Sequence, residues 1–155
     1  MTATGKLTDP VYQAQAILAV RDHSIAEMTR KLQRKGFTPT DITTALNWLK
    51  ANKLINDEHF ARHYIESITA AKPVGPYWLK NKLRQKGVST EIIAAALAEI
   101  YSKDRERDLA ARAANQWRVA HRTTSTDPQS LYRFLVSRGF SQDVIREQKL
   151  AAIEE

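Results

Sequence analysis

The chain contains the segment Leu32-Gln33-Arg34-Lys35-Gly36-Phe37-Thr38 and nearly repeats it twice, as Leu83-Arg84-Gln85-Lys86-Gly87-Val88-Ser89 and Leu135-Val136-Ser137-Arg138-Gly139-Phe140-Ser141. The glycines at positions 36, 87 and 139 are 51 and 52 residues apart. A period of about fifty residues is typical of tandem supersecondary units that complete each other's core. The sequence therefore predicts one structural unit built three times, over residues 1–55, 56–103 and 104–155 of one continuous array.

Composition narrows the possible functions. The 155 residues include no cysteine, which excludes thiolate metal sites, redox motifs and disulfides. The net charge of +7 favours a polyanionic partner. Lys and Arg outnumber Asp and Glu by 8 to 4 in residues 1–55, by 7 to 5 in residues 56–103 and by 9 to 8 in residues 104–155. The basic excess is therefore distributed over the folded units and decreases toward the C-terminus.

The sequence predicts neither a signal peptide at the N-terminus nor a membrane-spanning segment. The segment Met1 to Pro10 lacks the apolar core of a signal peptide, and the longest purely apolar stretch, Ile92 to Ala98, is too short to span a bilayer. We expect a cytoplasmic, monomeric protein without membrane contact.

Residues typical of helix starts and ends recur at the same positions in each copy. Twelve positions before the repeated glycines stand Ser24, Gly75 and Asp127, which are good N-cap residue types. Pro76 and Pro128 follow two of them, at the first helical position, where proline is favoured. Each middle helix should end at its glycine, which suits the left-handed C′ position. Thr38, Ser89 and Ser141 then cap a third helix in each unit.

Apolar residues follow these caps at helical spacing. The middle helices present Met28 and Leu32, Leu79 and Leu83, and Leu131 and Leu135. The third helices present Ile42, Leu46 and Leu49; Ile93, Leu97 and Ile100; and Ile145 and Ile153. Upstream amphipathic helices are predicted over Tyr12 to Arg21, from Asp57 with a stripe of Phe60, Tyr64 and Ile68, and over Asp104 to Arg122 with a stripe of Leu109, Ala113 and Trp117. The fold class is all-α, with nine helices in three units.

The middle helices of the first two units carry an unusual excess of basic residues. Glu27 is the only acid in either helix, whereas ordinary solvated faces mix both signs. This bias predicts a functional basic stripe. Lys35, Lys86 and Arg138 also complement the helix dipole at the helix C-termini. The candidate partner-binding residues are Arg30, Lys31, Arg34, Lys35, Trp78, Lys80, Lys82, Arg84, Lys86, Arg133 and Arg138.

The repeated turn is also similar to a helix-turn-helix, whose following helix reads base edges with Arg, Lys, Asn or Gln. In the second copy that helix has Glu91 and Glu99 and none of these residues, and in the third it opens with Gln142 and Asp143 and contains Glu147. We therefore do not expect sequence-specific DNA recognition. Non-specific contact with phosphates through the middle helices remains open.

Other motifs have structural explanations. His59 and His63 lie four residues apart, but no third metal ligand is evident, and we expect both to be exposed. Trp48 and Trp117 are expected in the core, and Trp78 beside the basic residues is the tryptophan suited to partner contact. The run Lys103-Asp104-Arg105-Glu106-Arg107-Asp108 is interpreted as a salt-bridged helix start. No catalytic, cofactor or metal motif is evident, so we do not expect an enzyme.

Several longer segments resemble the RecX family of bacterial regulators of the RecA recombinase. They are Leu54-Ile55-Asn56-Asp57-Glu58-His59-Phe60-Ala61-Arg62-His63-Tyr64, Val74-Gly75-Pro76-Tyr77-Trp78-Leu79 and Leu83-Arg84-Gln85-Lys86-Gly87-Val88. The resemblance runs from Ala16-Ile17-Leu18-Ala19 to Phe134-Leu135-Val136-Ser137-Arg138-Gly139-Phe140. The chain departs from the family's Gly-Tyr-Leu-Asp-Asp at Lys53-Leu54-Ile55-Asn56-Asp57, and it has Pro73 where the family has glycine.

This resemblance implies three three-helix repeats in a curved, elongated body. It also implies an inhibitor that lies in the groove of the RecA filament on single-stranded DNA and suppresses filament growth, ATP hydrolysis, strand exchange and co-protease activity. The alternative hypothesis from the residues alone is a non-specific DNA-binding protein that acts through phosphate contacts. The two hypotheses differ in whether bare DNA suffices for tight binding.

Overall fold

The computed structural model describes residues 9–121 and 127–153, with side chains described as far as residue 150. Over these ranges the chain is all-helical, as predicted, without a strand. The helices are α1 (Pro10–Val20), α2 (Ile25–Arg34), α3 (Pro39–Ala51), α4 (Asp57–Ala71), α5 (Pro76–Gln85), α6 (Thr90–Ile100), α7 (Lys103–Ala120), α8 (Pro128–Ser137) and α9 (Gln142–Ile153). The predicted end of α7 at Arg122 and the packing of Ile153 lie outside the described residues and side chains.

Local capping explains where the middle helices α2, α5 and α8 begin. The Ser24 hydroxyl accepts a hydrogen bond from the Glu27 N–H, and the Glu27 carboxylate accepts one from the Ser24 N–H, which forms a capping box. Gly75 caps α5 without a side chain, and the Asp127 carboxylate accepts from the Gln129 N–H at the start of α8. All three predicted N-caps are confirmed.

The three repeated glycines end the middle helices in the left-handed conformation. Their φ angles are 89° at Gly36, 80° at Gly87 and 81° at Gly139. This is the backbone geometry that the C′ position of a helix requires and that L side chains disfavour. Lys53, just after the end of α3, also has a positive φ, of 56°.

The upstream helices differ slightly from their predicted bounds. Helix α1 starts two residues earlier than predicted, because Asp9 accepts the Val11 N–H and Pro10 occupies the first helical position. Helix α7 starts one residue earlier, because Ser102 accepts the Arg105 N–H. Such differences at helix ends follow from caps that the apolar periodicity does not reveal.

Each unit packs its first helix on its third, α1 on α3, α4 on α6 and α7 on α9. The predicted core residues of the middle helices are all buried: Met28, Leu32, Leu79, Leu83, Leu131 and Leu135. Leu46, Leu97 and Ile100 are half-buried against the core. The apolar pattern thus predicted the inner face of most helices. The boundaries at 55/56 and 103/104 stay a prediction.

The buried side chains fall into two clusters among the described residues. One cluster belongs to unit 1 (α1–α3) and is centred on Met28, Leu32 and Leu49. The other is continuous through unit 2 (α4–α6) and unit 3 (α7–α9). Tyr101, at the end of α6, belongs to this larger cluster and donates a hydrogen bond of 3.0 Å from its hydroxyl to the Val74 carbonyl. Units 2 and 3 therefore share a core that unit 1 does not enter.

Successive units meet at the same kind of contact, which we term the repeat joint. The turn that ends one middle helix lies on the first turn of the middle helix of the preceding unit. At the first repeat joint the Ser24 hydroxyl donates to the Lys86 carbonyl. At the second, the Gly75 N–H donates to the Arg138 carbonyl at 2.7 Å, and the Tyr77 N–H donates to the Gly139 carbonyl at 3.0 Å.

One of the two expectations about core tryptophans needs correction. Trp48 is not a core residue but is 38% exposed, because α3 faces the core through Ile42, Ala45 and Leu49. Trp117 is buried as predicted, with 8% exposure.

The charged run at the start of α7 does more than form surface ion pairs. Arg107 pairs with Asp104 and with Glu147 at 2.9 Å each, as expected of a salt-bridged helix. Glu106, however, is only 4% exposed, and its carboxylate accepts the Ser141 N–H at 2.7 Å. Arg105 donates to the Thr69 hydroxyl at 2.7 Å. The run therefore also connects α7 to the start of α9 and to α4.

Candidate functional site

The predicted binding residues lie at the surface to different extents. Arg30, Arg34, Lys35, Arg84 and Arg133 are exposed. The half-buried members are Lys31, Trp78, Lys80, Lys82, Lys86 and Arg138. None is a core residue, so each side chain has at least part of its surface open to solvent.

Helical geometry divides the basic residues of α5 into two groups. Trp78, Lys82 and Lys86 are spaced four residues apart at α5 and its C-cap, which places them along one side. Lys80 and Arg84 are each two positions from Lys82, and positions two apart on a helix point about 200° apart around its axis. The predicted stripe is therefore divided between two surfaces, and the surface with Trp78, Lys82 and Lys86 lines a cavity.

That cavity has a volume of about 470 Å³ and lies where α2, α4 and α5 meet, beside the first repeat joint. We term it the joint pocket. It is lined by Glu27, Arg30, Tyr64, Ile68, Lys72, Trp78, Lys82, Gln85 and Lys86. Four of the eleven predicted residues, namely Arg30, Trp78, Lys82 and Lys86, thus come together from two units.

Three cations of the joint pocket have no carboxylate partner among the described residues, namely Arg30, Lys72 and Lys82. The Lys72 ammonium lies 4.4 Å from the centre of the Trp78 ring, and the Lys82 ammonium lies 5.4 Å from it. Such cation–π contacts hold the ammonium groups in place without neutralising them. The positive charge in the pocket is therefore available to an anion.

Glu27 is the one acid of the joint pocket, and its charge is already compensated. Its carboxylate lies 2.8 Å from the Arg21 guanidinium and 3.5 Å from the Lys86 ammonium. Burial by itself would raise the pKa of Glu27, but hydrogen bonds from Arg21 and from the Ser24 N–H, together with the Lys86 charge, lower it to about 2. Glu27 therefore stays ionised and holds Lys86 at the repeat joint.

Arg30 is positioned by carbonyl groups. Its Nε donates to the Ala26 carbonyl and its Nη2 donates to the Gln85 carbonyl, both at 3.3 Å. The guanidinium thus reaches from α2 to the end of α5 and keeps its full charge beside the joint pocket. Neutral acceptors orient a guanidinium but leave its attraction for an external anion intact.

Sequence reasoning missed Lys72. It is the C-cap of α4, and it reaches the Trp78 ring across the short loop between α4 and α5. The predicted basic residues all belong to the middle helices and their C-caps, whereas Lys72 lies at the end of α4. The sequence does contain a signal for Lys72, because this residue stands directly before the loop that leads into α5, the most basic helix.

The candidates of unit 3 lie away from the joint pocket. Arg133 approaches the Ser130 hydroxyl at 3.4 Å, and the Arg138 guanidinium lies 5.1 Å from the centre of the Phe134 ring. The carbonyl of Arg138 takes part in the second repeat joint by accepting the Gly75 N–H. These residues present separate positive charges on unit 3.

The two histidines of α4 are exposed, as predicted, and their rings stack with centroids 6.0 Å apart. The Nδ1 atom of His63 lies 2.6 Å from a carboxylate oxygen of Asp22. No group of three residues suited to hold a metal ion occurs in the described part of the chain. The contact of His63 with Asp22 joins unit 2 to unit 1.

Within the described ranges, none of the helices is long and apolar enough to cross a membrane. The joint pocket is instead built from helix ends, cations and two aromatic rings, Tyr64 and Trp78. This combination is suited to bind a negatively charged group that also has a flat face.

Comparison with known proteins connects this architecture to a family. The sequence model described as "RecX, first three-helix domain" matches residues 13–49, and the one described as "RecX, second three-helix domain" matches residues 56–97. The chain is 37% identical over 139 residues to the regulatory protein RecX of Prosthecochloris aestuarii, which covers 87% of each chain. It is 34% identical over 131 residues to that of Chlorobium phaeobacteroides, covering 84% of this chain and 85% of the relative.

Longer relatives and a crystal structure extend the comparison. The chain spans 46% of the length of a regulatory protein RecX from Lactococcus lactis, to which it is 34% identical. The crystal structure of RecX from Lactobacillus salivarius has a TM-score of 0.83 to this fold with 21% sequence identity, covering 97% of this chain and 98% of that one. The matching domains, the relatives named regulatory proteins and the shared fold together show that the chain belongs to the RecX family.

Proposed function

We propose that this protein is a non-enzymatic negative regulator of RecA. In this proposal it binds in the groove of the RecA filament on single-stranded DNA. Binding there inhibits filament extension, ATP hydrolysis, strand exchange and co-protease activity. Membership of the RecX family supports the regulatory role, and the partner and its form are our inference.

The observation that carries the proposal is the uncompensated positive charge on α2 and α5. Arg30 and Lys82 have no carboxylate partner among the described residues, and Arg34, Lys80 and Arg84 also appear in none of the described ion pairs. Charges kept free of partners on two successive units are suited to a long, negatively charged surface. A filament that contains DNA provides such a surface.

Charge reversal on α5 tests this proposal. We expect the variant with Lys80→Glu, Lys82→Glu and Arg84→Glu to lose inhibition of DNA-stimulated ATP hydrolysis by RecA, because three attractive contacts become repulsive. None of the three residues is buried, so helicity measured by circular dichroism should be unchanged.

A matched control reverses the same number of charges elsewhere. Lys50, Arg112 and Arg146 are exposed and lie on α3, α7 and α9. The variant with Glu at these three positions should still inhibit RecA. Full inhibition by the α5 variant, or an equal loss in the control, would contradict the assignment of the contact to α5.

A second candidate function is non-specific DNA binding through phosphates, and the same unpaired cations favour it. It predicts an affinity for bare single-stranded DNA that falls steeply with salt and that is as high as the affinity for a preformed RecA filament. Measuring both affinities at physiological salt separates the two functions. An affinity for the filament no greater than that for DNA would favour this second candidate.

A further inference from the structure

The joint pocket is a concave part of the basic surface that contains the aromatic ring of Trp78. Its volume of about 470 Å³ lies within the range of small-ligand sites. It combines the Trp78 ring with the unpaired charges of Arg30, Lys72 and Lys82. Lys80 and Arg84, by contrast, do not line it.

We propose that the joint pocket binds one nucleotide of single-stranded DNA, with the base against the ring of Trp78 and the adjoining phosphates held by Arg30, Lys72 and Lys82. This inference rests on the proposed function, in which the protein binds a filament of RecA and single-stranded DNA. It assigns the DNA, and not RecA, as the ligand of the joint pocket. It adds a specific site and a ligand class to that function.

The positions of the two lysines support a phosphate and a base as one ligand. Both ammonium groups lie within 5.4 Å of the Trp78 ring centre, so the cations and the aromatic face are within reach of a single nucleotide. A phosphate attracts an ammonium group more strongly than a ring does. Binding therefore draws Lys72 and Lys82 away from Trp78 and leaves the ring open for stacking.

The chemistry of the pocket favours a single strand over other polyanions. In a duplex the bases are stacked and paired, so a tryptophan in a surface pocket has no free base face to contact. An acidic peptide needs only the cations and gains nothing from Trp78. Stacking on an aromatic ring beside unpaired cations is the general mode of binding to single strands without sequence preference.

The ligand contacts two units at once. Arg30 comes from α2 of unit 1, whereas Lys72, Trp78 and Lys82 come from unit 2. The hydrogen bond from Arg30 Nη2 to the Gln85 carbonyl keeps the two sides of the pocket together. The first repeat joint thus builds the site, and a single isolated unit does not contain it.

The test measures binding of the full chain to a fluorescently labelled oligothymidylate by anisotropy, without RecA. We expect Trp78→Ala to weaken binding at least about fivefold, since stacking on one aromatic ring is worth roughly 1–3 kcal/mol per base. Trp78→Phe should retain most of the affinity. The control is Tyr77→Ala, which removes a neighbouring aromatic residue that is 58% exposed and outside the pocket, and it should bind like the unmodified chain.

The cations are tested by neutral substitutions at low and physiological salt. Lys72→Gln and Lys82→Gln should each weaken binding and make it less dependent on salt, because each removes a phosphate contact. Arg84→Gln, on the other side of α5, should have a smaller effect on both. Equal losses in the Arg84 and Lys82 variants would overturn the pocket in favour of a diffuse basic surface.

Two competitors complete the test. Unlabelled duplex of the same length and a poly-glutamate peptide should displace the oligonucleotide less well than unlabelled single strand does. Displacement by the peptide as efficient as by single strand would overturn the assignment to DNA. Unchanged binding by the Trp78→Ala variant would also overturn it, while inhibition of RecA by the unmodified chain would leave the proposed function intact.

Discussion

At the scale of single residues, the three repeated glycines are equivalent in sequence but not in the structure. A Cβ added to Gly87 would lie 2.3 Å from the Cβ of Ala26, and one added to Gly139 would lie 2.2 Å from the backbone nitrogen of Trp78. A Cβ added to Gly36 would meet nothing within 4 Å. Gly36 is therefore required only for its positive φ, whereas Gly87 and Gly139 also allow the close approach at the repeat joints.

Alanine substitutions separate these two requirements. Gly36→Ala should lower the free energy of unfolding by about 1–2 kcal/mol, the cost of a left-handed alanine. Gly87→Ala has nearly the same φ strain and should cost roughly 1–3 kcal/mol more, because its methyl group overlaps Ala26. Urea unfolding of the two variants measures the difference.

A double-mutant cycle identifies the cause of the larger effect. Ala26→Gly removes the methyl group that faces Gly87, so it should recover part of the loss in the Gly87→Ala variant although it is mildly destabilising by itself. Equal losses at Gly36 and Gly87, or strictly additive effects of Ala26→Gly, would show that the close approach contributes nothing to stability.

At the scale of elements, the start of α2 shows how a helix cap becomes part of a contact between units. The Ser24 hydroxyl caps α2 and also donates to the Lys86 carbonyl of unit 2. The Ile25 N–H has no acceptor within its own helix because it lies at the helix start. It donates to the Asp57 carboxylate of α4 at 2.9 Å. The unsatisfied N–H groups that every helix start presents are here used to attach the next unit.

Glu27 makes this attachment dependent on pH. Its pKa is about 2 in the folded protein against 4.5 ordinarily, so its ionised form stabilises the fold above pH 4.5 and that contribution is lost as the pH falls towards 2. We expect Glu27→Gln to lower the free energy of unfolding at neutral pH by roughly 1–3 kcal/mol.

The difference between Glu27→Gln and the unmodified chain should shrink as the pH falls from about 4.5 to about 2, since protonation removes the same charge. Thermal unfolding at a series of pH values measures this. Asp41→Asn is a suitable comparison. Asp41 also accepts the N–H of the N-cap residue of its helix, Thr38, but it has no ion pair among the described contacts. A difference that stays constant down to pH 2 would contradict the role of the Glu27 charge.

The helices themselves were largely predictable from local sequence. Ser24, Thr38 and Pro76 mark helix starts because capping depends on residues within one turn of each other. The division of the α5 cations between two surfaces was not predicted. The predicted stripe rested on the number of basic residues and not on the direction in which each side chain points. Lys82 faces the joint pocket and Lys80 does not.

At the scale of the whole molecule, the two repeat joints differ in character. Units 2 and 3 share a continuous apolar cluster, whereas unit 1 has a core of its own. Units 1 and 2 are joined by polar contacts, among them Ser24 with Lys86 at the first repeat joint, and Asp57 with Ile25 and His63 with Asp22 beside it. Unit 1 should therefore open more independently than units 2 and 3 do from each other.

Hydrogen exchange of two core variants tests this difference. Leu49→Ala, in the core of unit 1, should speed amide exchange in α1–α3 much more than in α4–α9. Leu135→Ala, in unit 3, should speed exchange through α4–α9 together, because those helices share one core. Exchange that rises uniformly along the chain in the Leu49 variant would show a single cooperative unit instead.

The sequence by itself determined the all-helical class, the repeated turns and most inward-facing residues, because caps and apolar periodicity act within a few residues of the chain. Which repeated glycines are close-packed, and that Lys72 joins Arg30 and Trp78 in one pocket, came only from the tertiary structure. Those features depend on how one unit lies against the next. The contacts involved join residues that are far apart in the chain, so local patterns do not specify them.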